Sequence, residues 1–243
     1  MSVTAYTVIA IAILFASCLQ ASIGFGMGML AAPVVALVDP SLIPGTLIML
    51  ASLVTLMVVI RERTAIDVRG TGWALVGRVP GTVAGALLLG AMPERALALA
   101  IAGVVLAGVL VTSLGWAPTP RRRNLVLAGA TSGVLGTATS IGGPPMALVY
   151  QSATGPTIRA TLSTFFVMGT VLSIAALAVA GRFGGEEVVA SLALVPGLLA
   201  GFVLSRRTRG LIDRGSARVA VLGLSTASAL ALLAQQLLPL VLA

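Results

Sequence analysis

Hydrophobic positions fall in ten runs along the chain, at about 4–22, 26–38, 43–60, 72–90, 95–116, 124–142, 144–153, 158–180, 187–205 and 216–242. Runs of this length and number predict membrane-spanning helices. The second and seventh are short, roughly 10 to 13 residues where a straight span needs about 20. Each follows a break, Gly24–Gly28 in one case and Gly142–Pro145 in the other. Glycine leaves backbone groups accessible, and proline removes a donor and stops a helix. Backbone freed at membrane depth is tolerated only inside protein or beside a water-filled cavity. Segments 1/2 and 6/7 therefore read as broken spans or re-entrant hairpins, and either form returns the chain to the side it left.

The two halves repeat. Val79–Gly85 reads VPGTVAG and Val195–Gly201 reads VPGLLAG, an offset of 116 that also sets Gly24–Gly28 on Ser140–Pro144 and Ala31 on Ala147. A one-residue gap brings Ile43, Thr46 and Leu47 onto Ile158, Thr161 and Leu162. Repeats of this kind in a hydrophobic chain indicate a carrier built from two related halves, with its site where they meet. The arginine-rich connections are Arg61–Arg69, Arg121–Arg123 and Arg206–Arg218, whereas those near Met92–Arg95 and Arg182–Glu187 carry little positive charge. Cytoplasmic placement of the basic connections satisfies the positive-inside rule and leaves both termini external. With five segments per half, an odd number, the second half enters from the opposite face. The expectation is an all-α polytopic protein of the cell (plasma or inner) membrane. It is a single transmembrane domain over 1–243, with inverted repeats at about 4–116 and 124–242 joined by a cytoplasmic linker at about 117–123.

Composition narrows the picture. The 243 residues are 58% hydrophobic and 9% charged, against roughly 25% charged in a soluble protein, too few to cover a water-facing surface. Residues 5–18 lack the basic flank and cleavage site of a signal peptide and are read as retained. The net charge of +8 does not predict a nucleic-acid partner, because the arginines lie between apolar runs where topology places them. There is no His, and Cys18 stands alone, so no disulfide framework, metal site or imidazole proton carrier is expected. No GxxxxGK[ST] motif supports ATP drive, and no cofactor is expected.

The glycine break after the first segment (LQASIGFGMGMLAAP), its echo in the second half (LGTATSIGGPPMAL) and the two VPGxxAG segments resemble the TauE/SafE sulfite-exporter family, over about Leu19 to Gly201. The resemblance implies a small secondary carrier that moves sulfite, an organosulfonate or a related sulfur anion, often outward. This chain departs from the family pattern at Gly142-Gly143-Pro144-Pro145, where members usually carry a glycine run. The double proline makes that break stiffer.

Two groups of residues carry candidate chemistry. Arg78 lies inside the fourth segment, six residues past Gly72 and so roughly 9 Å in, within reach of a snorkelling side chain. The alternative is an anion contact, since intramembrane charges are expensive and face cavities. Asp39, Glu62, Asp67, Glu94, Glu186, Glu187 and Asp213 all lie at connections or segment ends, so none neutralises it. Its repeat equivalent is Leu194, which makes any such contact one-sided.

The second group is hydroxyl-rich: Thr131, Ser132, Thr137, Thr139 and Ser140 before the second break, Ser22 before the first, and Thr46 facing its repeat partner Thr161. Hydroxyls and free N–H groups at a half-helix N-terminus replace an oxyanion's hydration shell, although single hydroxyls also serve helix packing. The substrate-binding set is Ser22, Gly24, Gly26, Gly28, Thr46, Arg78, Thr137, Thr139, Ser140, Gly142, Gly143 and Thr161. Gly81, Gly85, Gly197 and Gly201 read as packing surface.

The resulting expectation is an exporter of sulfite or a related organosulfur anion, working by alternating access at the interface of the halves. A non-transporting subunit of a larger complex is the alternative. A membrane enzyme lacks a nucleophile–base pair or metal set. The expected partners are the anion and the lipid bilayer, and a homodimer stays open.

Overall fold

The computed structural model of the chain describes residues 2–113, 118–212 and 216–241, which form ten α-helices and no strand. They are α1 (Val3–Ile23), α2 (Met27–Val38), α3 (Gly45–Glu62), α4 (Val68–Ala91), α5 (Glu94–Ser113), α6 (Arg122–Thr139), α7 (Gly143–Tyr150), α8 (Gly155–Val179), α9 (Gly185–Ile212) and α10 (Ser216–Val241). Each of the ten apolar runs becomes one of these helices. Among the described residues, six stretches are long and apolar enough to cross a membrane: α1, α4 and α8 in full, Gly45–Ala65 around α3, and parts of α5 and α9. In the third basic stretch, the side chains from 208 to 222 lie outside the described residues, as do residues 114–117 at the linker's start.

The short second and seventh segments are short helices in fact. α2 has 12 residues and α7 has 8, about 18 and 12 Å at 1.5 Å per residue, against a hydrocarbon core of about 30 Å. Both are wrapped in protein. Met27, Leu30 and Val35 of α2 sit in an apolar cluster built with α1, α3, α5, α9 and α10. Met146, Val149 and Tyr150 of α7 sit in a second cluster, with Leu125 of α6 and Leu162 and Phe165 of α8. Phe25, in the first break, packs against both. The chain is interrupted at depth only where neighbouring helices shield the freed backbone.

The helices pair closely as α4 with α6, α1 with α9, α3 with α8 and α5 with α10. The glycines of the two VPGxxAG motifs make the first two seams. A Cβ at Gly81 would collide with the Ala130 carbonyl of α6, and one at Gly201 with the Leu14 carbonyl of α1. On the outer faces of α4 and α9, Val79, Val83, Leu87, Leu199 and Val203 remain exposed, the surface expected to meet lipid acyl chains.

One helix start differs from the sequence expectation, and the difference matters. α4 begins at Val68 rather than near Gly72, because the Asp67 side chain caps it by accepting from Gly70 N at 2.9 Å. Tyr150 of α7 donates to the other Asp67 oxygen at 2.8 Å, and Thr161 Oγ1 of α8 accepts from Asp67 N at 2.9 Å. Aspartate is a favoured N-cap, and these bonds lengthen α4 by a turn. Arg78 is therefore ten residues into its helix, about 15 Å from the start and near the middle of a bilayer core.

The α4–α6 seam yields a stability prediction. Gly81→Ala forces α4 off α6 and should lower the melting temperature markedly. Gly90→Ala, with no atom within 4 Å of the added carbon, should stay within about 0.5 kcal/mol of the parent. Thermal unfolding of the purified protein in detergent compares the two, and equal behaviour would show that the seam tolerates separation.

Candidate functional site

The two breaks meet each other. α1 ends at Gly24 with φ 91° and α6 ends at Ser140 with φ 64°, so both helices close in the left-handed conformation at positions the repeat pairs. Gly26, with φ 109°, then starts α2. Gln20 ties the first break, donating from Nε2 to the Gly24 carbonyl at 3.3 Å and accepting from Met27 N at Oε1, 3.0 Å. At the second break, Ser132 Oγ donates to the Gly142 carbonyl at 2.6 Å. Ser140 Oγ donates to the Pro44 carbonyl at 3.1 Å. The breaks then interlock: a Cβ at Gly28 would collide with the Ser140 carbonyl, and one at Gly143 would lie 3.0 Å from the Phe25 ring.

Between them lies a cavity of about 40 Å³. The first half supplies Gln20, Phe25–Met29, Ile48, Ala51 and Arg78, and the second supplies Gly136, Ser140–Gly143, Phe166 and Thr170. Ala51, Arg78, Phe166 and Thr170 each lie near the middle of their helices, so the cavity is central in depth. The volume suits a few water-sized groups or one small oxyanion.

Arg78 is the charged member of the wall and is only 2% exposed. Its Nη1 donates to Ser132 Oγ at 2.9 Å and to the Ser132 carbonyl at 3.1 Å, and its Nη2 donates to Ser173 Oγ of α8 at 3.2 Å. Ser173 is held in turn by Thr137, 2.8 Å away. The guanidinium carbon stands 5.2 Å from the Phe165 ring centroid, in cation–π range. A Cβ at Gly169 would lie 2.7 Å from that carbon, and one at Gly136 would lie 3.3 Å from Nη2. Small residues thus make the slot for the planar group. Nε has no hydrogen-bond partner among the described residues, and the oxygens around the other nitrogens are neutral. Arg78 is held in place by fixed bonds at mid-depth, which replaces the snorkelling alternative.

The helix termini add to this charge. The first turn of α2 and the start of α7 both line the cavity, and a helix N-terminus carries roughly half a positive charge. Pro144 and Pro145 lie in the first turn of α7 and have no N–H, so α7 contributes its dipole with fewer donors than α2. Among the described residues, no group of three His, Cys, Asp or Glu side chains is placed to hold a metal ion.

Of the residues singled out from sequence, Gly26, Gly28, Arg78, Ser140, Gly142 and Gly143 line the cavity, and Thr137 stands one layer behind through Ser173. The other five lie elsewhere. Ser22 donates to Cys18 O one turn back in its own helix; Thr139 donates likewise to Leu135 O and accepts from Ile141 N at 3.3 Å behind the second break. Gly24 packs on the Arg159 backbone. Thr161 serves the start of α4, and Thr46 is buried beside Ser191, with its carbonyl accepting at 3.5 Å. Sequence reasoning did not single out Gln20, Ser173, Phe165 or Gly169. Gln20 carried a usable signal, an amide inside an apolar run. Ser173 carried none, because a lone serine in an apolar helix has no distinguishing pattern.

Long apolar helices around two half-helices and a shared cavity define a polytopic α-helical membrane protein. The profile of the Sulfite exporter TauE/SafE family matches residues 9–232, and the chain belongs to that family. No curated protein and no solved structure matches it. The family is one of sulfite-exporter-type membrane transporters.

The slot around Arg78 is testable by substitution. Gly169→Ala should displace the guanidinium and reproduce the functional defect of losing Arg78, while Ser173→Ala should weaken the same group by about 1–2 kcal/mol. Transport and melting temperature measured side by side separate these from misfolding. Normal transport by Gly169→Ala would show that the position of the guanidinium is not critical.

Proposed function

We propose that this protein is a secondary carrier that exports sulfite or a closely related small organosulfur anion by alternating access between two inverted halves. The observation that carries the reading is Arg78, a residue of the cavity wall whose guanidinium is buried at mid-depth with neutral partners and an unsatisfied Nε. A central charge costs roughly 2.5–3.5 kcal/mol on insertion scales. Its three bonds to serine oxygens and the Phe165 face offset part of that. The remaining positive field, joined by two helix N-termini, is satisfied by an anion rather than by a cation or a neutral solute. The small cavity favours an anion of a few heavy atoms.

The packing supports the two-half architecture. Exchanging α1–α5 with α6–α10 turns the α4–α6 seam into the α9–α1 seam and the α4–α8 contact into the α9–α3 contact. The same exchange leaves α3–α8 and α5–α10 on themselves. Charge supports the inverted topology. Arg61 and Glu62 meet Arg159 at one end, the end where Arg122 covers Trp73 at 3.9 Å. The opposite end gathers Pro40–Pro44, Met92–Arg95 and Gly181–Glu187 around one cavity. In this reading the arginine-rich end is cytoplasmic and both termini are external, in the cell membrane.

Purified protein in proteoliposomes tests the reading. Sulfite at about 100 times its dissociation constant should stabilise the parent by about 2.7 kcal/mol. Arg78→Leu should fold, yet lose both that stabilisation and sulfite flux, and Arg78→Lys should be weakened because it cannot reproduce the planar fork. Normal flux through Arg78→Leu overturns the site. A reporter fused after Arg123 should be cytoplasmic, and an external reading there overturns the inversion.

A further inference from the structure

At the arginine-rich end, four helices converge on one carboxylate. Glu62 closes α3, and Arg159 of α8 donates from Nε to both of its oxygens, at 2.8 and 3.1 Å. Arg61 Nη2 lies 3.2 Å from the same carboxylate and donates to the Ala21 carbonyl of α1 at 2.6 Å. The Arg61 guanidinium also stands 5.0 Å from the Phe202 ring of α9. The Glu62 and Arg159 side chains are each 11% exposed. The cluster joins the halves, since Arg61, Glu62 and Ala21 belong to the first and Arg159 and Phe202 to the second. It also bears on the first break, because Gly24 is pressed so closely on Arg159 that a Cβ there would lie 2.8 Å from its Cα.

The other end is held differently. The halves meet there through bonds to neutral acceptors, Ser140 Oγ to the Pro44 carbonyl at 3.1 Å, Ser191 Oγ to the Thr46 carbonyl at 3.5 Å and Arg95 Nη2 to the Gln236 carbonyl at 2.8 Å. Beside them opens a cavity of about 430 Å³ reaching Pro44, Gly45 and Glu187. Among the described residues, the ion pair between the halves lies at the arginine-rich end.

We propose that Arg61 and Arg159 form an anion-docking gate in which the Glu62 carboxylate occupies the place of the incoming oxyanion. This rests on the carrier reading and on its topology. Guanidinium forks bind carboxylates and sulfur oxyanions through the same paired N–H geometry. Breaking the pair with nothing in its place leaves part-buried arginines without their counter-ion, so the gate stays shut. An arriving oxyanion exchanges with Glu62 at little net change in hydrogen bonding. It frees α3 from α8 and releases Arg159 from Gly24, so the break leading to the central cavity moves. The anion opens its own path, and an empty carrier does not leak.

The test uses the full chain in sealed vesicles, with Cys18→Ser and Thr170→Cys placing one reporter thiol in the wall of the central cavity. A membrane-impermeant maleimide is applied from each side, with methanesulfonate as an oxyanion inert toward the reagent. Labelling from the arginine-rich side should be slow in this background and at least about tenfold faster with Glu62→Gln. It should be slow again in the charge-swapped pair Glu62→Arg with Arg159→Glu, which also reports intact folding. Methanesulfonate should speed labelling when Glu62 is present and change nothing in Glu62→Gln. Equal labelling of the background and Glu62→Gln overturns the gate, and acceleration without any methanesulfonate effect overturns the displacement. Loss of sulfite flux in the parent would sink the carrier reading alone, because the labelling difference needs no transport.

Discussion

The structure turns on an arginine buried without a carboxylate. Arg78 sits about 15 Å along its helix and, among the described residues, is bonded only to Ser132 and Ser173. A protein that needed only to bury a residue there would use leucine, and the repeat-related position does, with Leu194 equally buried. The surrounding features follow from accommodating that charge. Gly136 and Gly169 thin two helices to make room for the guanidinium plane. Thr137 fixes Ser173, and Phe165 offers its ring face. The group is rigid before any ligand arrives, so binding an anion would lose little to reorganisation.

A second constraint comes from the half-helices. Ending a helix at membrane depth exposes carbonyls and N–H groups that lipid cannot satisfy. This chain satisfies them by setting the two breaks against each other. Gln20 closes one break and Ser132 the other, and Ser132 also receives Arg78. The bonds that make the interruption tolerable are therefore the bonds that orient the charge. The same arrangement couples the centre to both ends, through Ser140 to Pro44 on one side and through Gly24 to Arg159 on the other. A shift of either break is felt at a helix contact between the halves.

Much of this was legible in the sequence, for identifiable reasons. Hydrophobic run length located all ten helices, and the short runs at Gly24–Gly28 and Gly142–Pro145 marked both half-helices. The offset that paired Gly24 with Ser140 paired two positions that share a left-handed backbone. What was not legible depended on contacts. The cap at Asp67 is completed by Tyr150, distant in sequence, so the start of α4, and with it the depth of Arg78, was set too shallow. Hydroxyls were harder to place: Ser22 and Thr139 donate to the carbonyl one turn back, a use that spacing alone cannot distinguish from facing a cavity. Ser173 and Gly169 are ordinary residues in an apolar helix and acquire meaning only beside Arg78.

The central claim is that the buried guanidinium holds an oxyanion where the halves meet. Selenite, a heavier analogue of sulfite, makes this directly visible. A crystal of the purified protein grown with selenite and measured at the selenium edge should show an anomalous peak within about 4 Å of a nitrogen of the Arg78 guanidinium, close enough for a hydrogen bond through one oxygen, and the peak should vanish in Arg78→Leu. A peak elsewhere, or a central cavity without selenium while Arg78 keeps its present bonds, would contradict the account.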